Sequence, residues 1–232
     1  MKKIISFIII LLFFPLIGSS EAAMDNLLLR DVASQSQLKQ ALNLRSPSLL
    51  GTIIILPTGS FNEPEAEKII TRIDKLPVSI LEKMNEQHMK LKLFTGKLTD
   101  NPTAIHLTGV VPRGYKNNVT WDAVPGIGGA KTVLVKIGFS EKGNGHSSEN
   151  LELHELAHSL DRYIFHEISQ QQDYLAIWNQ EKNSLFPNQE YFLTYAEEYF
   201  AESFALYYFN ENSRQRLKIN APQTYELIKK LK

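Results

Sequence analysis

Residues 154–158 have the pattern H-E-x-x-H, as His154-Glu155-Leu156-Ala157-His158. On a helix, residues four apart lie one above the other on the same face, so His154 and His158 can offer two imidazole nitrogens to a single zinc ion. Glu155 lies beside them, where its carboxylate can take a proton from the attacking water. The pattern predicts zinc-assisted hydrolysis; the alternative is a surface helix that has this pattern by chance.

The third ligand decides which class of zinc site this is. A metzincin would place a glycine three residues after His158 and a third histidine six residues after it. Those two positions hold Asp161 and Ile164 instead. The metzincin class is therefore excluded.

The next candidate ligands are acidic residues at the start of an amphipathic segment, Glu197, Glu198 and Glu202. Glu198 and Glu202 are four apart and share a helix face. One of them could bind the metal while the other orients a histidine ligand through a hydrogen bond. In the alternative, Thr194 and Glu197 form a capping box and the acids complement the helix dipole. Spacing alone does not separate these two interpretations.

The elements that must position these residues change character along the chain. Apolar runs and alternation predict strands before residue 150, whereas the pattern from there to the end is helical. This predicts an α+β fold: an N-terminal lobe with a small mixed twisted sheet plus helices to about residue 165, then an all-helical lobe, with the zinc cleft between them. The predicted strands are 52–56, 90–94, 104–107 and 132–137; the predicted early helices are 63–76 and 78–89; residues 109–130 are expected to form a loop.

The first 22 residues have the organisation of a secretory signal peptide. A basic start, Lys2-Lys3, is followed by an uncharged run at 4–17, and Ser20-Glu21-Ala22 places small residues at the −3 and −1 positions of a cleavage site. The alternative is an uncleaved membrane anchor, but the run is short and Pro15 interrupts it. We therefore expect cleavage after Ala22, an extracellular product without stable membrane insertion, and a single domain over residues 23–232.

Composition excludes several classes of function. The chain of 232 residues has no cysteine, which removes disulfides, thiolate zinc sites, iron–sulfur clusters and cysteine nucleophiles. Lys plus Arg equals Asp plus Glu at 25 each, so there is no bulk electrostatic case for nucleic acid as a partner.

From about residue 53 to its C-terminus, the chain resembles the Pro-Pro endopeptidases, small secreted zinc proteases of Gram-positive bacteria. These proteins look like the catalytic domain of anthrax lethal factor in the two zinc helices. The resemblance covers nearly the whole mature chain in order, so it is far more specific than H-E-x-x-H alone. The segments that carry it are LPTG at 56–59, FTGKLTD at 94–100, GVVPRG at 109–114, TWDAVPGIGG at 120–129, IGFS at 137–140, LELHE at 151–155, EEYFAESF at 197–204 and APQTY at 221–225.

The resemblance implies roles for the residues that could do chemistry. His154, His158 and Glu198 would bind one Zn²⁺ per chain, and Glu155 would be the general base. Tyr191, seven residues before the third ligand, matches a tyrosine that stabilises the tetrahedral intermediate. A phenol can donate a hydrogen bond to the developing oxyanion; the alternative is an aromatic residue of the core.

The resemblance also implies a substrate-binding set. Trp121 matches a tryptophan that lines the cleft, and its flat indole suits stacking against proline rings. Glu197 matches an acid near the substrate, and His146 is a further cleft candidate. The remaining members, which match a mobile loop beside the cleft, are Gly126, Ile127, Gly128 and Gly129.

Two further acids, Glu202 and Asp161, are candidates for orienting the histidine ligands through hydrogen bonds. Glu202 fits the role of orienting a histidine ligand. Asp161 could orient His158, or it could merely pair with Arg162. Both assignments depend on contacts that spacing does not show.

The resemblance predicts a monomeric zinc endopeptidase that cuts between two prolines in a secreted or surface polypeptide. The alternatives are a lethal-factor-like endopeptidase without proline preference, and a secreted binding protein that has lost activity. Val119 stands where some relatives have lysine, and Ala130 and Lys131 replace small hydroxyl residues. These departures concern the preferences for residues that flank the cleaved bond.

Overall fold

The computed structural model describes residues 27–114 and 118–232. The signal peptide expected at 1–22 lies outside these residues. Within them, no helix is long and apolar enough to span a bilayer. The strands are β1 (Leu27–Leu28), β2 (Ile54–Leu56), β3 (Lys90–Phe94), β4 (Gly126–Ile127) and β5 (Thr132–Lys136).

The strands form one mixed sheet in the order β1-β2-β3-β5-β4. The three central strands are parallel, and the two-residue strands β1 and β4 pair antiparallel at the edges. The longest pairing joins β3 to β5 over five positions, from Lys90 opposite Thr132 to Phe94 opposite Lys136. Because β4 is an edge strand, the backbone amides and carbonyls on its outer side have no partner strand within the described sheet.

Among the described residues, four α-helices precede β4 and six follow β5, so the fold is a small mixed sheet with helices and the α+β prediction is confirmed. The early helices are α1 (Gln37–Ala41), α2 (Pro47–Ile53), α3 (Glu63–Asp74) and α4 (Val78–Glu86). The later ones are α5 (Leu151–Tyr163), α6 (Gln172–Leu185), α7 (Glu190–Thr194), α8 (Ala196–Phe209), α9 (Glu211–Asn220) and α10 (Pro222–Lys230).

Three local predictions were wrong. Residues 104–107 form a 3₁₀ turn, Ile105–Leu107, in which the Leu107 amide donates to the Ala104 carbonyl at 2.9 Å. That turn satisfies the backbone locally, whereas a strand would need a partner strand for its amides. Residues 52 and 53 end helix α2, which Pro47 begins, so strand β2 is shorter than expected. The expected loop at 109–130 contains strand β4.

Helices α5 and α8 pack against each other in the core. On α5, Leu153, Leu156 and Leu160 are fully buried, and the Asn150 side chain caps the helix by accepting from the Leu153 amide at 3.1 Å. Helix α8 was expected to be amphipathic but is buried nearly all round, with ten of its residues buried, because it packs in the core rather than at the surface. A fully buried aromatic or Leu side chain contributes about 1.5–3 kcal/mol, so this pair of helices is a rigid base for the side chains it carries.

A buried ion pair joins α3 to the first turn of α5. The Glu152 side chain is 0% exposed, and an Arg72 guanidinium N–H donates to it. Arg72 also lies over the Phe209 ring, 5.0 Å from its centroid. The pair therefore ties the sheet lobe to α5 and to the end of α8.

We expect Arg72→Ala to lower the free energy of unfolding by about 3 kcal/mol, because the Glu152 carboxylate would stay buried without its cation. Urea unfolding at neutral pH measures this. The matched control is Lys68→Ala on the same helix, which removes the Lys68–Glu65 pair, whose side chains are 59% and 27% exposed, and should change little. Equal midpoints for the two variants would contradict the prediction.

Candidate metal centre

Helices α5 and α8 bring two histidines and one carboxylate to a common point. The two imidazole Nε2 atoms of His154 and His158 are 3.3 Å apart. Glu198 Oε2 is 3.2 Å from His154 Nε2 and 3.4 Å from His158 Nε2. The three side chains form the one group of ligand type found among the described residues, with ligand atoms all within 4.8 Å of one another.

These separations fit a zinc ion. Tetrahedral zinc with bonds of about 2.0–2.1 Å needs ligand atoms about 3.3–3.4 Å apart, and the distances in the structure are 3.2–3.4 Å. Nitrogen, nitrogen and carboxylate oxygen are a donor set that zinc accepts in hydrolytic sites. The residues present therefore fit the metal that the H-E-x-x-H pattern predicts.

The electrostatics of the group also favour a cation. Burial alone lowers the pKa of His154, but hydrogen bonds with Glu198 and Glu202 and the charges of Glu202 and Glu155 outweigh it and raise the pKa to about 10. Burial raises the pKa of Glu198, yet its hydrogen bonds with His154 and His158 bring it well below its usual range. The negative charges of the carboxylates thus favour a positive charge beside them. A divalent metal would supply that charge when the histidines are neutral.

Glu202 lies behind His154. Its side chain is 1% exposed, its Oε2 is 3.0 Å from His154 Nδ1, and its Oε1 accepts from the Glu149 amide at 2.7 Å. A bond to Nδ1 leaves Nε2 directed at the ligand point. The structure therefore brings Glu202 to the position from which it can orient a histidine ligand.

The Asp161 carboxylate forms its hydrogen bonds with Ser169 rather than with His158 or Arg162, the two partners considered in the sequence. Its carboxylate accepts from the Ser169 amide at 3.2 Å and from the Ser169 hydroxyl at 2.5 Å. Burial raises its pKa in spite of these bonds. Arg162 instead donates to the Gly129 carbonyl at 3.1 Å. Asp161 thus joins α5 to the segment that follows it, while Arg162 joins α5 to the glycine-rich loop.

Tyr191 lies on the short helix α7, and its side chain contacts the third candidate ligand, Glu198. Its hydroxyl donates to Glu198 Oε1 at 2.7 Å. Burial first, and then the charge of Glu198, raise its pKa well above its usual value, so the phenol keeps its proton. The backbone of α7 is held from α6, where the Trp178 indole donates to the Phe192 carbonyl at 3.1 Å and Lys182 donates to the Leu193 carbonyl at 2.9 Å.

The alternative interpretation, a capping box of Thr194 and Glu197 at the start of α8, is not observed. Helix α8 begins after Tyr195, and no side chain caps it. Glu197 accepts from Arg113 at 2.7 Å instead of from the backbone of its own helix. The acid at 197 therefore faces the sheet lobe across the cleft.

An open cleft of about 1300 Å³ runs past these residues. Every member of the predicted substrate-binding set lines the same cleft as the ligand group, Glu155 and Tyr191. The lining members of that set are Trp121, Gly126, Ile127, Gly128, Gly129, His146 and Glu197.

The glycine-rich loop packs directly on α5. A Cβ at Gly128 would lie 1.9 Å from the Glu155 carbonyl oxygen, so only glycine allows this approach. The Gly129 amide donates to the Ser159 hydroxyl at 2.9 Å. These contacts set the height of the loop above the helix that carries His154 and His158.

The Trp121 side of the cleft is held by its neighbour Asp122. The Asp122 carboxylate accepts from the Thr99 hydroxyl at 2.7 Å, from the Gly109 amide at 2.8 Å and from the Thr120 hydroxyl at 2.8 Å. These bonds, led by that from Gly109, lower its pKa to about 2. Sequence reasoning missed Asp122 and Arg113, although both lie in segments that carry the resemblance, because their partners are distant in the chain.

His146 also lines the cleft. Its Nε2 donates to the Phe139 carbonyl at 2.7 Å, and burial lowers its pKa, so the ring is neutral. Its Nδ1 is buried without a hydrogen-bond partner among the described residues. The ring is thus anchored through one nitrogen with the other held as an acceptor.

Comparison with known proteins places the chain among relatives. Residues 41–231 match the family model described as anthrax toxin lethal factor, N- and C-terminal domain. The Pro-Pro endopeptidase of Paenibacillus alvei is 40% identical over 185 residues, which are 79% of this chain and 85% of the relative. That of Clostridioides difficile is 42% identical over 183 residues, 78% and 82% of the two chains.

A solved structure agrees with the sequence matches. The structure of the Pro-Pro endopeptidase from Paenibacillus alvei superposes with a TM-score of 0.75 at 40% identity. The alignment covers 79% of this chain and 100% of that one. The fold described above is therefore shared by a protein of related sequence.

Proposed function

The chain belongs to the family of the Pro-Pro endopeptidases and the anthrax toxin lethal factor domain, and from this premise we propose that it is a secreted zinc endopeptidase that cuts between two prolines. One observation carries the proposal: His154, His158 and Glu198 converge at zinc spacing in a cleft that Glu155 and Tyr191 also line. The enzyme is a peptidase of one domain over residues 23–232, and its substrate is a proline-containing polypeptide outside the cell.

The metal would be held by His154, His158 and Glu198. When bound, zinc acts as a Lewis acid that lowers the pKa of water and polarises the scissile carbonyl. Glu155 lies next to the first ligand in the chain and lines the cleft. Its carboxylate takes a proton from the attacking water and returns it to the departing nitrogen.

Tyr191 supplies the donor for the oxyanion. Its phenol stays protonated, because burial and the nearby Glu198 carboxylate raise its pKa. In the structure the hydroxyl donates to Glu198 Oε1. When substrate fills the cleft, the same hydroxyl turns to the oxygen on which negative charge develops, where a fixed donor is most effective.

Specificity for proline has to come from shape. Proline has no amide proton and a fixed φ, so a substrate with two adjacent prolines cannot pair fully with an edge strand such as β4. Trp121 offers a flat apolar wall, and Asp122 holds the turn that carries it. Gly126 to Gly129 form the other side, at a height set by the contact of Gly128 with α5.

The proposal predicts that the protein cleaves a peptide with two consecutive prolines at the bond between them. The same peptide with alanine on either side of that bond should lose at least about a hundredfold in kcat/KM, about 2.7 kcal/mol of transition-state binding. Mass spectrometry of the fragments locates the cut, and a Glu155→Gln preparation controls for contaminating proteases. Equal cleavage of all three peptides would favour a lethal-factor-like endopeptidase without proline preference.

Secretion is tested separately. We expect the mature protein to begin at Ala23 and to be found in the culture medium, because residues 1–22 have the basic start, apolar run and small-residue site of a signal peptide. N-terminal sequencing of protein from the medium measures this. Replacing Ala22 with a bulky residue should block processing at that site. A full-length chain confined to the membrane fraction would contradict the prediction.

A further inference from the structure

The two oxygens of Glu198 have separate partners. Oε2 faces His154 and His158, whereas Oε1 accepts the Tyr191 hydroxyl at 2.7 Å. The Glu198 side chain is 10% exposed, so solvent has little access to it. If Tyr191 turns to the substrate, as the proposed function requires, Oε1 loses its donor. A buried charged acceptor left without a partner costs about 1–3 kcal/mol or more.

Arg113 stands beside that same oxygen. Its Nη2 is 3.6 Å from Glu198 Oε1 and 2.7 Å from Glu197 Oε1. In the part of the chain that the structure describes, Arg113 is the one lysine or arginine that forms an ion pair with Glu198. A guanidinium has five N–H donors, so its bond to Glu197 leaves others free to serve a second acceptor.

The segment around Arg113 is fixed against the helical lobe. The guanidinium carbon lies 4.0 Å from the centroid of the Tyr195 ring. Gly114 follows at φ +86°, where a Cβ would be 2.9 Å from Tyr191 Cε2. The Arg113 side chain, which is 55% exposed, therefore contacts Glu197 and Tyr195, and its segment touches the ring of the tyrosine whose acceptor it could serve.

We propose that Arg113 is a positioning residue that takes over Glu198 Oε1 when the Tyr191 hydroxyl leaves it for the substrate. This inference rests on the proposed function and deepens it. The exchange replaces one donor by another, so the proton remains on the phenol and no covalent bond changes. It keeps Glu198 oriented towards the metal throughout turnover, with Arg113 moving by about half an ångström to reach hydrogen-bond distance.

A double-mutant cycle on zinc affinity tests the exchange without relying on cleavage. Arg113→Gln retains the Tyr191 donor, and Tyr191→Phe retains the Arg113 donor, so each single variant should bind zinc within about threefold of wild type. The double variant has neither donor and should lose about 10–100-fold, the usual effect of removing a partner of a metal ligand. Titration against a competing chelator measures all four proteins.

The matched control is Arg214→Gln. Arg214 also lies over a tyrosine ring, at 5.0 Å from Tyr207, and pairs with a glutamate, Glu211, at 3.5 Å, but it does not line the cleft. It should change zinc affinity neither alone nor with Tyr191→Phe. Arg113→Lys, which keeps the charge, should recover part of the affinity lost in the double variant.

Cleavage gives a second readout of the same exchange. At saturating zinc, Arg113→Gln should lower kcat by about tenfold with little change in KM, and should cost more than tenfold in the Tyr191→Phe background, where Glu198 Oε1 has neither donor. A double variant whose loss of zinc affinity or of kcat equals the product of the losses in the two single variants would overturn the inference. An Arg113→Gln protein that loses zinc as severely as the double variant would also overturn it. A wild-type chain that binds no zinc would instead overturn the proposed function itself.

Discussion

Glu155→Gln is expected to bind zinc like the wild-type chain and to lose at least about a thousandfold in kcat/KM. The glutamine keeps the size of the side chain but cannot accept the proton of the attacking water, and general acid–base catalysis contributes about 10²–10⁴-fold. Because the candidate ligands are His154, His158 and Glu198, the substitution leaves the three donor atoms in place.

The contrast with a ligand variant makes the test specific. His158→Ala removes one of the three donors and should lose both zinc and activity. Elemental analysis and kinetics on the same preparations separate the two roles, with about one zinc per wild-type chain as the reference. Loss of zinc from Glu155→Gln, or turnover that survives in it, would show that Glu155 is not the base.

Gly128→Ala should lower kcat/KM by at least about two orders of magnitude and also destabilise the fold by about 1–3 kcal/mol. A Cβ there would lie 1.9 Å from the Glu155 carbonyl oxygen. Either the loop or the backbone of α5 at Glu155 must move by about an ångström, and a displacement of that size near the reacting groups costs about a hundredfold. The atom in the way is backbone, so no rotamer change relieves the contact.

Gly59→Ala is the matched control. A Cβ at Gly59 would meet no atom within 4 Å, so activity and thermal unfolding should stay at wild-type values. The kinetics and the thermal unfolding of the two alanine variants should therefore diverge. Wild-type activity in Gly128→Ala would mean that the loop does not depend on its contact with α5.

The local pattern of the sequence predicted much of the scaffold. The alternation at 90–94 predicted strand β3 with its observed bounds, and the helical pattern from residue 150 onward predicted the helices of which α5 is the first. These elements are decided by side-chain period and by burial of one face, both of which are readable within a window of a few residues. The edge strands β1 and β4 have two residues each, too few to show a period.

The spacing of H-E-x-x-H by itself placed His154 and His158 on one helix face. It did not determine which acid completes the group, because Glu197, Glu198 and Glu202 all lie near one another on α8. The tertiary structure directs Glu198 to the two Nε2 atoms, Glu202 to His154 Nδ1 and Glu197 away towards Arg113. The rotation of α8 about its axis and its packing on α5 decide this, and neither is a property of local sequence.

The partners that hold the cleft were likewise decided only in three dimensions. Asp122 bonds Thr99 and Gly109, and Arg113 bonds Glu197, 84 positions away. A polar side chain gives no local sign of its partner, since its hydrogen bond depends on where a distant segment passes. Helix spacing repeats every few residues and is therefore visible in the sequence; the close contact of Gly128 with the Glu155 carbonyl exists only once the loop and α5 are packed together.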